Sequence, residues 1–332
     1  MAEGGGSAFN SLAVVLIGLL LVSLVLGGVY SWKTVVNNPF TDKGLIERGM
    51  GLPIIWLYYD HSDVNSRMWK DFGGHSSRAL NLPFLNLCYE TVVAQNGSEY
   101  RIEVINGLQG VAELLGGYDA MPLRLRNPIA SVNEAEINWI RAAVLAKYGG
   151  IWLTPYVVCL QGFGKLPVDR VRFYGTDIGE TYSGSAGTSV PGLNCIWVPR
   201  AGHPMFIEWE QICRERLDET RGGQQIRRDA NWDWIALSGK YDGIEIDVHG
   251  ELTRKKGGRR IELEDLLAAG QEGHIPFAIP SHAIYVPVFW PELRDREIFG
   301  WFLRMSEEQI LRSDLVIRDL FLKGLKSNMK KR

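Results

Sequence analysis

The stretch YGGIWLTPYVVCL, Tyr148–Leu160, constrains the fold of this chain more than any other. The residues before it carry helix signals. Ser131 and Glu134 have the spacing of a capping box, Ile137, Ile140, Val144 and Leu145 recur on one face, and Gly149 offers a left-handed stop. The apolar run after the glycines reads as a strand that Pro155 must interrupt or bend, because proline has no N–H to give a sheet ladder. A helix that passes directly into a strand is one unit of an α/β fold, and the same alternation continues along the chain. Strand-type runs occur at Leu52–Asp60, Tyr100–Gly107, Val171–Gly175, Leu193–Val198 and Ala283–Val288. Helical spacing occurs at Leu80–Gln95, where Pro83 interrupts it, and at Leu108–Leu115 before Gly116 and Gly117. It recurs at Pro204–Thr220, Glu262–Ala269 and Glu307–Leu325, the last with Ile310, Leu315, Ile317, Leu320 and Phe321 available for packing. The pattern predicts a mostly parallel sheet flanked by helices on both faces.

Ahead of this domain, no charged side chain occurs between Gly4 and Trp32. About 20 apolar residues in a helix cross a hydrocarbon core of ~30 Å, so residues 12–31 are expected to form a single transmembrane helix with the lipid bilayer as partner. A cleaved signal peptide is the rival, but it has a shorter apolar region and a basic start, which is missing here. Lys33, Lys43 and Arg48 follow the span, and the positive-inside rule therefore predicts a cytoplasmic C-terminal domain. A sequon at Asn96 would serve only on the other side. The expected organisation is a tail at 1–11, the span at 12–31, a linker at 32–51, an α/β domain at 52–325 and a basic tail at 326–332.

The charge balance excludes one class of partner. With 36 basic and 38 acidic residues the net charge is -2, so nothing points to nucleic acid. The basic runs Arg254–Arg260 and Lys330–Arg332 read as solvated segments. Cys88, Cys159, Cys195 and Cys213 show no metal-type spacing and read as small buried residues.

The tract KYGGIWL, with LPIIWLYYD (Leu52–Asp60) before it and FYGTD (Phe173–Asp177) and NCIWVPRAGHPMFIEW (Asn194–Trp209) after it, resembles the DXD-type sugar transferases related to capsular polysaccharide synthesis proteins and yeast mannosyltransferases. The likeness covers Leu52 to Trp209 and implies a GT-A fold that binds a nucleotide-sugar, with Trp56, Tyr58 and Tyr59 on the strand nearest the base, beside the default reading of buried-strand aromatics as core. In that family the strand after the glycines ends in two acids that hold a divalent cation, which neutralises charge on the leaving diphosphate.

Here those two positions are Thr154 and Tyr156, neither of which ionises at neutral pH to ligate such a cation. A second departure is Asn138, where the family often has an aspartate three residues before the retained Arg141. Arg141, Lys147, Arg200 and His203 are available to hold a diphosphate without metal. Against that stand plainer readings, with Arg141 and Lys147 as helix-surface charges, Arg200 as a loop residue and His203 as a helix-start residue. Asp177 is the candidate catalytic acid, followed by Glu180, and Trp232, Trp234, Asp229 and Asp233 are candidates for a sugar subsite beside the default of helix packing.

The expectation is a membrane-anchored, glycosyltransferase-like protein that has lost metal-dependent transfer and serves a structural or binding role. Protein partners in a membrane-associated assembly or a membrane-containing virus particle would suit that role. No cofactor is expected on this reading. The alternative is an active glycosyltransferase with a nucleotide-sugar donor and a glycan acceptor but no standard metal site, and Mn²⁺ or Mg²⁺ enters only there.

Overall fold

A computed structural model of the chain describes residues 51–60, 82–126, 132–176, 191–219, 233–271 and 273–326. Apart from Gly51 and Leu52, these belong to one unit, Pro53–Arg332. Strand β1 (Ile54–Tyr59) leads to helix α1 (Pro83–Asn96), then β2 (Arg101–Asn106), α2 (Gly107–Leu115) and α3 (Glu134–Tyr148). Next come β3 (Gly150–Leu153), β4 (Val157–Cys159), β5 (Val171–Thr176) and β6 (Pro191–Val198), followed by α4 (Pro204–Glu219), α5 (Asp233–Lys240) and β7 (Ile244–Asp247). The C-terminal part adds β8 (Tyr285–Pro287), α6 (Trp290–Asp295), α7 (Glu307–Arg312) and α8 (Val316–Leu325).

The main sheet has six strands in the order β2-β1-β3-β6-β5-β7. β1 pairs in parallel with β2 and β3, β5 pairs in parallel with β7, and β6 runs against both of its neighbours. Five strands therefore share one direction and β6 alone is reversed. Both faces of the inner strands are covered, which is why β1 and β3 read as nearly continuous apolar runs while the edge strands β2 and β7 alternate. Trp56, Tyr58, Trp152, Phe173 and Ile196 pack with α2, α3, α4 and α5 on one face. Ile55, Leu57, Ile151, Leu153 and Cys195 point to the other, where α1, α8 and a small β4–β8 sheet complete the core. All four cysteines are buried free thiols.

Two glycines join α3 to β3 without a loop. Gly149 has φ 66° with ψ −158°, outside the left-handed helical basin that a standard helix stop would use, and Gly150 has φ 94°. A Cβ on Gly150 would lie 2.6 Å from the Ile54 carbonyl oxygen, and one on Gly149 would lie 2.9 Å from the Arg200 carbonyl carbon. Only glycine meets both demands, a positive φ and this approach of backbones.

Three local expectations are corrected. The capping box of α3 is Asn133 with Glu136, two residues later than the Ser131–Glu134 spacing suggested. Glu136 Oε2 accepts from the Asn133 N–H at 2.8 Å while its other oxygen accepts from Arg124 at 2.6 Å, so a buried ion pair selects between two boxes of similar local quality. The run after the glycines is two strands in two sheets. Thr154 N–H still donates to Asn194 O at 2.7 Å, but Pro155 ends the ladder and β4 turns away to pair antiparallel with β8. Finally, Glu307–Leu325 is broken at Ser313–Leu315. There the Asp314 carbonyl accepts from Gly270 N–H at 2.7 Å and Leu315 bridges Ala269, which demands extended backbone. Among the described residues no helix is long and apolar enough to cross a membrane, and the expected span at 12–31 lies outside them.

Gly150→Ala is expected to lower stability by roughly 2 kcal/mol or more through backbone strain and displacement of β1. The drop is read as a lower denaturation midpoint against the unsubstituted chain.

Candidate functional site

The connection from β1 through α1 enters β2 on one side of β1, and the connection from β2 through α3 enters β3 on the other. Such a switch point opens a crevice at the carboxyl ends of the strands, the usual ligand position in sheets of this kind. Asp60, Asn106, Thr154 and Asp247 follow or close parallel strands at that edge, and Asn194 lies near the start of reversed β6.

Thr154 sits in a polar chain there. Its hydroxyl reaches Asn194 Oδ1 at 3.4 Å, and Asn194 Nδ2 lies 3.3 and 3.4 Å from the two carboxylate oxygens of Glu251. These are long contacts, weaker than the 2.7 Å bond that the Tyr285 hydroxyl donates to Glu251 Oε2. Glu251 is 7% exposed and lies against β5, where a Cβ on Gly175 would fall 2.7 Å from its carboxylate. Burial, with the Glu251 charge second, pushes the Tyr285 phenol far above its ordinary value, so it stays a donor at neutral pH. Glu251 escaped the sequence reading. It belongs to no motif and meets Asn194 across 57 positions of chain.

Tyr156 serves a different neighbourhood. Its ring stacks on Trp290 of α6 at 5.4 Å and 18°, and it packs against the core that holds α1 and α8. The two positions matched to the acidic pair are thus a hydroxyl in a polar chain and an aromatic ring in the opposite core.

Trp56, Tyr58, Asn138 and Arg141 are brought together under α3. Trp56 Nε1 donates to Gly149 O at 2.8 Å, and Tyr58 stacks on Trp152 at 6.4 Å. Arg141 is 4% exposed, which corrects its reading as a helix-surface charge. The physical reason is that α3 packs against the sheet, α2 and α4 together, so every residue from Asn138 to Leu145 is buried. The guanidinium lies 5.6 Å from the Trp152 ring centroid and donates from Nη1 to Asn138 Oδ1 at 2.6 Å, while Nε has no hydrogen-bond partner. Burial depresses the pKa of this cation, with the Glu134 charge opposing it, and among the described residues no carboxylate lies within ion-pair distance. Asn138→Asp would place a counter-charge on an existing short hydrogen bond. It is expected to raise stability by on the order of 1 kcal/mol, measured by chemical denaturation near neutral pH.

Arg200 stands away from Thr154. The register pairs Gly150 with Val198, so Arg200 follows β6 at the amino edge of β3, and the four residues from Gly150 to Thr154 alone span about 13 Å of strand. Lys147 is exposed at the same edge and donates to Leu114 O at 2.8 Å. His203 is half-buried there, edge-on to Phe206 at 5.9 Å, and burial followed by the Arg200 charge holds its pKa below the ordinary 6.5. The unfolded chain then binds more protons than the folded one between that lowered value and 6.5, so stability falls as pH drops through the window. The difference in urea midpoint between pH 7 and pH 5 should shrink in His203→Gln.

Asp177 and Glu180 lie outside the described residues, as do Trp232 and Asp229. Trp234 is fully buried and stacks on Phe173 at 6.3 Å, and Asp233 accepts from Arg216 at 3.0 Å, so neither offers a sugar-binding face. The basic run is a surface hairpin in which Lys255 pairs with Asp265 at 2.5 Å and Arg260 with Glu292 at 2.6 Å. A cavity of about 250 Å³ lies on the α1 face beside the ends of β1 and β2, between Tyr59, Val104, Asn106, Leu85, Asn86 and Tyr89. None of these lining side chains is charged. Among the described residues no group of three or more His, Cys, Asp or Glu side chains gathers to hold a metal ion. Compared with protein families, curated proteins and solved structures, the chain matches none.

Proposed function

We propose that the chain is a membrane-anchored, glycosyltransferase-like protein that has lost metal-dependent sugar transfer and acts as a structural or binding component of a membrane-associated assembly. Support for the scaffold comes from the α/β sheet with helices on both faces and from the glycine-linked passage of α3 into β3, the strand that borders the switch point. Support for the loss comes chiefly from one observation. Thr154 is engaged with Asn194 while Tyr156 is stacked on Trp290, so the two positions offer no convergent carboxylates to a cation. Transfer from a nucleotide-sugar builds charge on a diphosphate, and a bound cation is the usual means of neutralising it. Asn138 in place of an acid removes a further charge from the same region.

The metal-free alternative needs cations at the crevice. Arg141 is buried beneath α3 and Arg200 stands at the opposite edge, so neither supports it. Calorimetry of the full chain with UDP-, GDP- and CMP-sugars, with and without Mn²⁺, is expected to give no metal-enhanced binding. Incubation with the same donors and EDTA is expected to give neither transfer nor hydrolysis. A micromolar donor affinity that appears only with Mn²⁺, or turnover in EDTA, would sink the reading.

A further inference from the structure

We infer that His249 and His282 form a two-imidazole site for a borderline transition-metal ion such as Zn²⁺, Ni²⁺ or Cu²⁺. Their ring centroids are 5.0 Å apart with the planes at 64°, and both residues are exposed. A metal–nitrogen bond of about 2.0–2.1 Å, plus the distance from nitrogen to ring centre, puts each centroid ~3.2 Å from a shared ion. Two such rings are then about 4.5 Å apart at a right-angled ligand–metal–ligand angle and about 5.2 Å apart at a tetrahedral one. The observed separation falls inside that interval. Water completes the coordination, since the pair is open to solvent.

The two histidines come from distant parts of the chain but sit on backbone that is already fixed. Asp247 Oδ1 accepts from the N–H groups of His249 and Gly250 at 3.0 and 3.1 Å, closing the turn after β7. The Gly250 carbonyl accepts from Ile284 N–H at 2.7 Å, and Leu252 N–H donates to Tyr285 O at 2.8 Å, tying that turn to the segment that carries His282. Ala283 N–H donates to Pro280 O at 3.1 Å, so His282 lies within a turn of its own. A Cβ on Gly250 would come 2.5 Å from the Tyr174 ring, which leaves the first turn little room to shift. Fixing the backbone of both turns lowers the ordering cost of binding. Imidazole nitrogens favour zinc, nickel and copper, whereas magnesium and manganese prefer oxygen ligands, so this site is chemically distinct from the cation of a sugar transferase.

Titration of the full chain with Zn²⁺ or Ni²⁺ near neutral pH is expected to show saturable binding of one ion. His249→Ala and His282→Ala are each expected to weaken it roughly a hundredfold, the scale by which a tethered second contact raises affinity over a single one. His274→Ala, at an exposed histidine elsewhere, should leave it unchanged, and circular dichroism should be the same for all three variants. Mn²⁺ should not compete. The inference is overturned by absence of saturable binding, by affinity undiminished from the unsubstituted chain in His249→Ala or His282→Ala, or by competition from Mn²⁺ at similar concentration. None of these outcomes depends on whether the protein transfers sugar.

Discussion

The fold depends on the close meeting of backbones at Gly149 and Gly150. Here the end of α3, the start of β1 and the turn after β6 come within the reach of a single Cβ, and the junction is bound by Trp56 Nε1 to Gly149 O and by Gly202 N–H to Ala146 O at 2.7 Å. Because α3 passes into β3 with no loop, its position over the sheet is set as soon as β1 and β3 pair. The pairing then brings Trp56 beside Trp152 and carries Thr154 to the carboxyl edge. A side chain at either glycine would separate the layers that everything downstream is built on.

The electrostatics follow from how thoroughly those layers close. Arg141 is enclosed by α3, α4 and the sheet, and its hydrogen-bond partner is the neutral Asn138. Glu251 lies at the carboxyl edge, with Tyr285 and Asn194 as its hydrogen-bond partners there. Breaking up such arrangements is costly, since a buried charge that loses its polar partners keeps its desolvation penalty. Charged groups of this kind hold a scaffold in one arrangement more readily than they receive a charged substrate. The surface cations tell a similar story, for Lys255 and Arg260 are already balanced by Asp265 and Glu292.

Much of the main sheet was legible in the chain. β1, β2, β5 and β6 fall on runs that alternate or stay apolar throughout, since both faces of a covered sheet select for them. The helix before Gly149 was legible for its periodic apolar residues, and Gly116 closes α2 in a left-handed conformation as the paired glycines implied. The choice of capping box was not, because the arbiter is Arg124, on a separate helical turn. Nor was the break at Ser313–Leu315, whose cause is hydrogen bonding to residues 268–270. Of the candidate site, the neutral character of Thr154, Tyr156 and Asn138 needed no structure, whereas Glu251 and the pairing of His249 with His282 arise only from folding.

The chain alone carried the strands β1, β2, β5 and β6 and the helix before Gly149, the interruption at Pro155, and the lack of an acidic pair after the two glycines, since each depends on covalent chemistry and short-range periodicity. Tertiary structure alone decided that β3 and β4 join different sheets, that Arg141 is buried, and that Arg200 stands away from Thr154. Those outcomes turn on which distant segments compete successfully for the same hydrogen bonds and the same apolar surface, a competition that no local stretch of residues contains.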